Sequence, residues 1–153
     1  MKRIVVAIIL LPVLLSTILL NAFAVEFPPE ADSHIYLENG DYIRIEVSSI
    51  DTRETSRKVG NKTYIYYNSN DEELWRATLT GSFTYTGTSA VCTSSSCSVN
   101  ISDSHWSVES KAADRSGNAA IAKLIMKRSQ LGVTIERAEV NMRLTCDENG
   151  NLS

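Results

Sequence analysis

Histidine is the first residue type to consider for chemistry, and it occurs only at positions 34 and 105. Asp103, Ser104 and His105 together supply the residue types of a hydrolase triad. Consecutive residues on a strand point away from one another, so a working triad would need partners from elsewhere in the chain. We therefore interpret His105 as a half-exposed residue beside a buried Trp106, and His34 as solvent-exposed.

Cysteine is the second candidate, because the chain contains Cys92, Cys97 and Cys146. A nucleophilic thiol needs a lowered pKa and a neighbouring base. Cys97 follows three serines and has no Lys, Arg or His within four positions. We interpret it as a free thiol, and we predict that the protein has no catalytic residue and is not an enzyme.

Two polar stretches carry clustered oxygen atoms that could bind a metal ion. Asp147, Asn149 and Asn151 occupy positions 1, 3 and 5 of a calcium-loop pattern, but the glycine expected at position 6 is displaced and no position-12 glutamate follows. The stretch from Asn68 to Glu73 is rich in oxygens without an ordered spacing. We expect polar turns at both places, with no metal and no cofactor.

Aromatic side chains could bind a ligand by stacking. Tyr64 and Tyr66 would share one face of a strand, whereas Tyr67 would lie on the opposite face. One side of that strand must therefore expose aromatic rings or be covered by another strand. Flat aromatic surfaces on β-sandwiches can bind glycans, although core packing is the commoner use of aromatic residues. Tyr64, Tyr66 and Tyr67 are our candidate aromatic binding surface.

The stretch from Trp75 to Cys92 is the element that must position these groups. Apolar or small residues alternate there with polar ones, mostly threonines. A period of two is typical of a strand with one buried and one solvated face, and it places Leu79 and Phe83 inside. With the turn-separated segments around it, this stretch predicts an all-β fold: a small antiparallel β-sandwich, immunoglobulin-like, with six or seven strands from about Thr63 onward.

An additional hairpin is predicted before the sandwich. Asn39-Gly40 lies between the apolar-rich arms Ile35–Glu38 and Asp41–Val47, a pattern that favours a type I′ turn. Residues 48–58 have mixed charge and little apolar content, so we expect a linker there. The hairpin is either part of the sandwich or appended to it. The predicted division is a signal peptide (1–24), an acidic leader with hairpin and linker (25–58) and the sandwich (59–153).

The segment Ala119–Arg128 is ambiguous, because its composition favours a helix. As a strand, it would pair with the segment that follows a two-residue turn at Leu131-Gly132. One bulge at Glu136-Arg137 then gives a register that is consistent along its whole length, for example Met126 opposite Ala138, Leu124 opposite Val140 and Ala122 opposite Met142. We favour the strand.

The N-terminus predicts export. Lys2 and Arg3 precede an apolar run, and Ala22-Phe23-Ala24 gives the small-residue pattern of a cleavage site, so we expect a secretory signal that is cleaved after Ala24. The remaining 129 of the 153 residues suit one domain. Without Lys2 and Arg3, 13 basic residues face 18 acidic ones, a net charge of −5 that disfavours nucleic acid and anionic lipid as partners. We expect a protein that is secreted or at the cell surface, with no stable membrane insertion after cleavage.

An oxidising compartment makes one disulfide and one remaining thiol the expectation for three cysteines. Joining Cys92 to Cys146 would connect two strand ends across a long loop and add roughly 3 to 5 kcal/mol. Joining Cys92 to Cys97 is sterically possible but constrains the chain far less. We favour the first pairing, which leaves Cys97 as the free thiol.

Several motifs in this order resemble a group of small secreted β-rich proteins of Gram-positive bacteria: NGDYI, GNKTYIYYNS, LWRATLTGSFTYTG, CTSSSCSV, SHWSVESKAADRSGNA and LTCDENGNLS. The group has no assigned activity, so the resemblance carries over no functional residue. It implies that the pieces form one unit, that Cys92 and Cys146 are the paired cysteines, and that residues 119–128 form a strand.

These observations predict a secreted, non-catalytic binding or interaction module, with an extracellular protein or a glycan as its partner. Two alternatives are a secreted hydrolase built on His105 or Cys97 and a self-assembling component of the cell envelope that uses an exposed strand edge.

Overall fold

The structure, a computed structural model, describes residues 22–25, 33–50 and 56–153. Of the predicted signal peptide, residues 1–21 lie outside this description, as do residues 26–32 of the acidic leader. The described residues form nine strands: β1 (Ala22–Val25), β2 (Ser33–Tyr36), β3 (Tyr42–Ile50), β4 (Arg57–Tyr67), β5 (Glu73–Tyr85), β6 (Ala90–Ile101), β7 (Trp106–Ser116), β8 (Ala119–Gln130) and β9 (Val133–Thr145). Within the same residues, no helix has the length and apolar character needed to cross a membrane.

The strands form two packed sheets. The larger sheet has the order β2-β3-β4-β5-β6, and the smaller has the order β1-β9-β8-β7. All neighbours are antiparallel except β1, which pairs in parallel with β9. The predicted all-β antiparallel sandwich is thereby confirmed; it is immunoglobulin-like in having two packed antiparallel sheets, and apart from β1 each sheet is a meander of consecutive strands.

Strand β5 provides the centre of the core, as the alternation predicts. Its inward side chains, Trp75, Ala77, Leu79 and Phe83, are at most 1% exposed. They pack in one apolar cluster with the inward side chains of β8 and β9, which are Ala120, Ala122, Leu124, Met126, Val140, Met142 and Leu144. The threonines between them on β5 lie on the outer face.

The β8–β9 hairpin confirms the strand interpretation of residues 119–128. Leu131 and Gly132 form the two-residue turn, both with positive φ (50° and 79°), as a type I′ turn requires. Met126 pairs with Ala138, Leu124 with Val140 and Ala122 with Met142, as expected. The extra residue is Ile135 rather than Glu136-Arg137, because Arg128 pairs with Glu136. Inward-facing apolar residues on both strands fix this register, since a slip by one residue would turn them outward.

The Asn39-Gly40 hairpin is also present, and it belongs to the sandwich. Its loop has three residues instead of two: Leu37 and Asp41 are hydrogen-bonded across it, and only Gly40 has a positive φ (86°). Strand β3 pairs with β4 along its full length, and its Ile43 and Ile45 are buried in the core.

The linker predicted at residues 48–58 is wrong where the structure describes it. Strand β3 continues to Ile50 and β4 begins at Arg57, while residues 51–55 lie outside the described part. Ser48, Ser49 and Ile50 are exposed although they pair with Asn61, Gly60 and Val59. At this end β3 is exposed, whereas Gly60 of β4 is buried next to Leu144 and Leu152. The end of β3 therefore needs no apolar face and gives no apolar pattern.

Truncation of β5 tests the core directly. Replacing Leu79 (0% exposed) with alanine leaves a cavity between the sheets, so we expect the free energy of unfolding to fall by about 2 to 5 kcal/mol. Thr84→Ala, on the outer face of the same strand, is the matched control and should change it by less than about 0.5 kcal/mol. Urea denaturation measures both; equal losses would contradict the assignment of faces.

Candidate functional site

The outer face of the larger sheet carries a continuous group of aromatic rings, which we call the aromatic face: His34 and Tyr36 on β2, Tyr42 on β3 and Tyr67 on β4. Tyr42 lies at its centre, with ring centroids 5.8 Å from His34, 5.7 Å from Tyr36 and 5.0 Å from Tyr67. The rings of Tyr42 and Tyr67 are stacked at an interplanar angle of 15°. Tyr36 is 74% exposed, so the group is open to solvent.

Polar groups surround these rings and hold them in place. The Tyr42 hydroxyl donates to Asp71 Oδ1 at 3.1 Å, and desolvation together with this bond raises the pKa of Tyr42. The Arg44 guanidinium lies over the Tyr67 ring at 5.5 Å and pairs with Glu46 at 2.6 Å. Asp71 has a positive φ (62°) in a turn whose backbone is held by the Asn68 side chain. The aromatic face therefore has charged and hydrogen-bonding groups at its rim.

The predicted aromatic surface is corrected in two of its three residues. Tyr64 and Tyr66 are 2% and 1% exposed, because they face the other sheet, and only Tyr67 lies on the outer face. Tyr66 stacks on Trp75 at 5.2 Å and also contacts Trp106 at 5.5 Å. The other rings of the aromatic face come from the β2–β3 hairpin. They are single aromatic residues at alternate positions, so the local sequence does not indicate a binding surface there. Only the pairing of β2, β3 and β4 brings them together.

A cavity of about 510 Å³ lies on the inner side of the same hairpin. Apolar side chains of β2, its loop and β3 line one wall, namely Ile35, Leu37 and Ile43, while Glu136–Val140 of β9 line the other. Tyr66 reaches this cavity from β4. The hairpin therefore has a potential binding surface on each side.

Three side chains meet at the polar end of this cavity. The Tyr66 hydroxyl lies 3.0 Å from Asp41 Oδ2 and 3.3 Å from Glu136 Oε1. Asp41 also accepts hydrogen bonds from the Asn39 side chain and the Ser69 backbone. A phenol has one proton and can donate to only one carboxylate, so both contacts are hydrogen bonds when one of the two carboxyl groups is protonated and donates to the phenol oxygen. Burial, the largest cause, raises the pKa of Glu136 and so favours its protonated form.

The histidine motif is arranged differently from the sequence expectation. Residues 102–105 form the turn that takes the chain from β6 in one sheet to β7 in the other, and there Asp103 and His105 do meet. Asp103 Oδ1 accepts the His105 backbone N–H at 3.0 Å and lies 2.7 Å from Nδ1 of its ring. These bonds lower the pKa of Asp103. No hydroxyl or thiol of the described residues hydrogen-bonds to His105, so this contact fixes the turn.

The oxygen-rich stretches are turns held by their own side chains. Asp147 Oδ1 accepts the backbone N–H groups of Asn149 and Asn151, and Oδ2 accepts the Asn151 side-chain amide at 2.8 Å. Asn68 holds the other turn through the backbone N–H groups of Asn70 and Glu72. In the described part of the chain, no group of three or more His, Cys, Asp or Glu side chains could hold a metal ion.

All three cysteines are free thiols in the structure, so the disulfide expected between Cys92 and Cys146 is not formed there. Both residues are buried in the same core cluster, and burial raises the pKa of Cys146, with smaller contributions in the same direction from Asp147 and Cys92. Burial also raises the pKa of Cys97, and Lys111 lowers it only in part. A raised pKa disfavours the thiolate, which is the form that a cysteine nucleophile needs.

Comparison with known proteins gives no further assignment. No family model, no curated protein and no solved structure matches this chain. The resemblance to small secreted proteins of Gram-positive bacteria therefore stays a prediction.

Substitution of Glu136 tests the polar end of the cavity. Its pKa is raised above the ordinary value of 4.5, so the folded state is destabilised as pH rises through the folded pKa and Glu136 ionises. We expect Glu136→Gln to be about as stable as the parent at pH 4 and more stable at pH 7.5, as measured by urea denaturation. Glu139→Gln, on the same strand, controls for the loss of one negative charge. A stability loss at pH 7.5 in Glu136→Gln alone would contradict this account.

Oxidation tests the cysteine pair. When the chain is secreted through an oxidising compartment, we expect a disulfide between Cys92 and Cys146. Cys97 should then be the only thiol that is alkylated without prior reduction. Mass spectrometry of proteolytic fragments identifies the bridge, and reduction should lower the free energy of unfolding by roughly 3 to 5 kcal/mol. Cys97→Ser is the control and should keep the bridge, whereas a Cys92 to Cys97 bridge would refute this pairing.

Proposed function

We propose that this protein is an exported, non-catalytic binding module whose ligand is a neutral glycan bound on the aromatic face. The observation that carries the proposal is the group of neighbouring rings of His34, Tyr36, Tyr42 and Tyr67 on a sheet surface that faces solvent. Sugar rings present C–H groups on their faces, and these pack well on flat aromatic rings.

The polar rim supports a sugar rather than a purely apolar ligand. Arg44, Glu46 and Asp71 place hydrogen-bonding groups around the rings. A few convergent polar groups on an apolar surface are typical of a site that orients its ligand. The tyrosines supply the contact area, and the rim would select among sugars by their hydroxyl groups.

Exposure and charge support the same proposal. The Tyr36 ring is so exposed to water that it contributes little to folding. Clustered exposed apolar surface is common at binding sites. The expected net charge of −5 after export disfavours nucleic acids and acidic polysaccharides. The expected location, secreted or at the cell surface, is where a glycan-binding module would meet its ligand.

Isothermal titration calorimetry with neutral oligosaccharides tests the proposal. Using cello-, chito- and xylo-oligosaccharides, we expect at least one series to bind, and Tyr36→Ala or Tyr42→Ala to weaken that binding at least about ten-fold, or 1.4 kcal/mol. Leu131→Ala removes a 99% exposed apolar residue from the β8–β9 turn of the smaller sheet and is the matched control. It should bind like the parent.

Two results would refute the proposal. One is the absence of binding by all three series; the other is equal weakening by Tyr36→Ala and Leu131→Ala. A molecular mass that rises with concentration in light scattering, and rises less in Tyr36→Ala, would instead favour self-assembly through this face.

A further inference from the structure

The two sheets differ in width, and this leaves one side of the sandwich incomplete. Strand β6 packs against β7 and β8, β5 against β8 and β9, and β4 against β9. Strands β2 and β3 therefore extend beyond β9 of the smaller sheet. The inward residues of the β2–β3 hairpin, which are Ile35, Leu37 and Ile43, line the cavity described above.

Among the strands that the structure describes, β1 alone extends the smaller sheet on this side. Ala22, Phe23, Ala24 and Val25 pair in parallel with Arg137, Ala138, Glu139 and Val140. These four residues of β9, which we call the edge site, also line the cavity. The structure thus shows what the edge site accepts: a short, extended, apolar segment that runs parallel to β9.

The predicted cleavage after Ala24 would remove this segment. Three of the four residues of β1 would leave with the signal peptide, and the edge site would lose its hydrogen-bonding partner. An open strand edge next to an apolar cavity is a template for another strand, because backbone groups supply affinity and side chains in the cavity supply specificity.

We propose that the edge site of the mature protein binds an extended apolar segment of another protein, parallel to β9, in the place that β1 occupies. The proposal rests on cleavage after Ala24 and is independent of glycan binding. A second mature copy cannot supply residues 22–24, because it would have lost them as well. The described strands of such a copy are also already paired within its own two sheets, so we assign the partner segment to a different protein.

Charge around the edge site defines the partner further. Glu38, Glu136 and Glu139 line the cavity, whereas Arg137 is held by both carboxylate oxygens of Glu109, at 2.8 and 2.9 Å. The rim is acidic, so an apolar segment flanked by Lys or Arg fits better than one flanked by acidic residues.

The test uses the chain of residues 25–153 and a labelled peptide with residues 21–25 between two lysines, KNAFAVK. The buried residues of the core cluster run from Ile43 to Cys146, so the 25–153 chain retains all of them. Circular dichroism checks the fold. Fluorescence anisotropy should show saturable binding to the 25–153 chain and at least about ten-fold weaker binding to the 21–153 chain, in which β1 fills the edge site.

Variants locate the contact. In the peptide, replacing Phe23, the register partner of Ala138, with Asp should weaken binding at least about ten-fold, and glutamate flanks should weaken it relative to lysine flanks. In the protein, Ala138→Arg should weaken binding at least ten-fold. Val133→Arg, at an exposed position of the same strand, should not. Tyr42→Ala, a residue of the aromatic face that does not line the cavity, should leave peptide binding unchanged, which separates this proposal from glycan binding.

Two outcomes would overturn the proposal. The first is no binding to the 25–153 chain, or equal binding to both chain lengths. The second is a dimer of the 25–153 chain that the peptide dissociates, because a second copy would then occupy the edge site.

Discussion

Close packing between β5 and β8 is the contact on which the rest of the structure depends. Gly81 of β5 faces Ala120 of β8, and a Cβ on Gly81 would lie 2.9 Å from the Ala120 Cβ and 2.6 Å from Cζ of Phe83. The alanines of β8 let the sheets approach here, while Trp75 and Phe83 on β5 fill the space around them. Large side chains on one sheet opposite small ones on the other give the density that a protein interior requires.

This packing also determines where the candidate sites lie. Because β5 is held over β8 and β9, and β4 over β9, strands β3 and β2 lie beyond β9 of the smaller sheet. Among the described residues, no strand of the smaller sheet packs closely on the inner side of the β2–β3 hairpin, and the cavity lies between this hairpin and β9. The cavity and the edge site are therefore consequences of unequal sheet width, and not of any local sequence motif.

The sequence predicts those parts of the fold that one strand or one hairpin determines. The alternation from Trp75 to Phe83 and the β8–β9 register needed no information from elsewhere in the chain, since burial of one face selects both. The sequence does not predict which face of β4 is buried, because TYIYY has aromatic or apolar residues on both sides. Tertiary packing alone decides that Tyr64 and Tyr66 face inward. The aromatic face likewise can be predicted only when the pairing order of β2, β3 and β4 is known. The Asp103–His105 contact depends on a turn that the sequence alone does not indicate.

The period of two gives the hairpin a separate role on each side. Ile35 and Tyr36 are neighbours in the chain, yet Ile35 lines the cavity and the Tyr36 ring joins the aromatic face. The same holds on β3, where Ile43 is buried and Tyr42 faces outward. A substitution at one position therefore changes one surface and leaves the backbone pairing that supports the other. Because Tyr42 belongs to the aromatic face and Ile43 lines the cavity, glycan binding and strand binding are separable by substitutions only one residue apart.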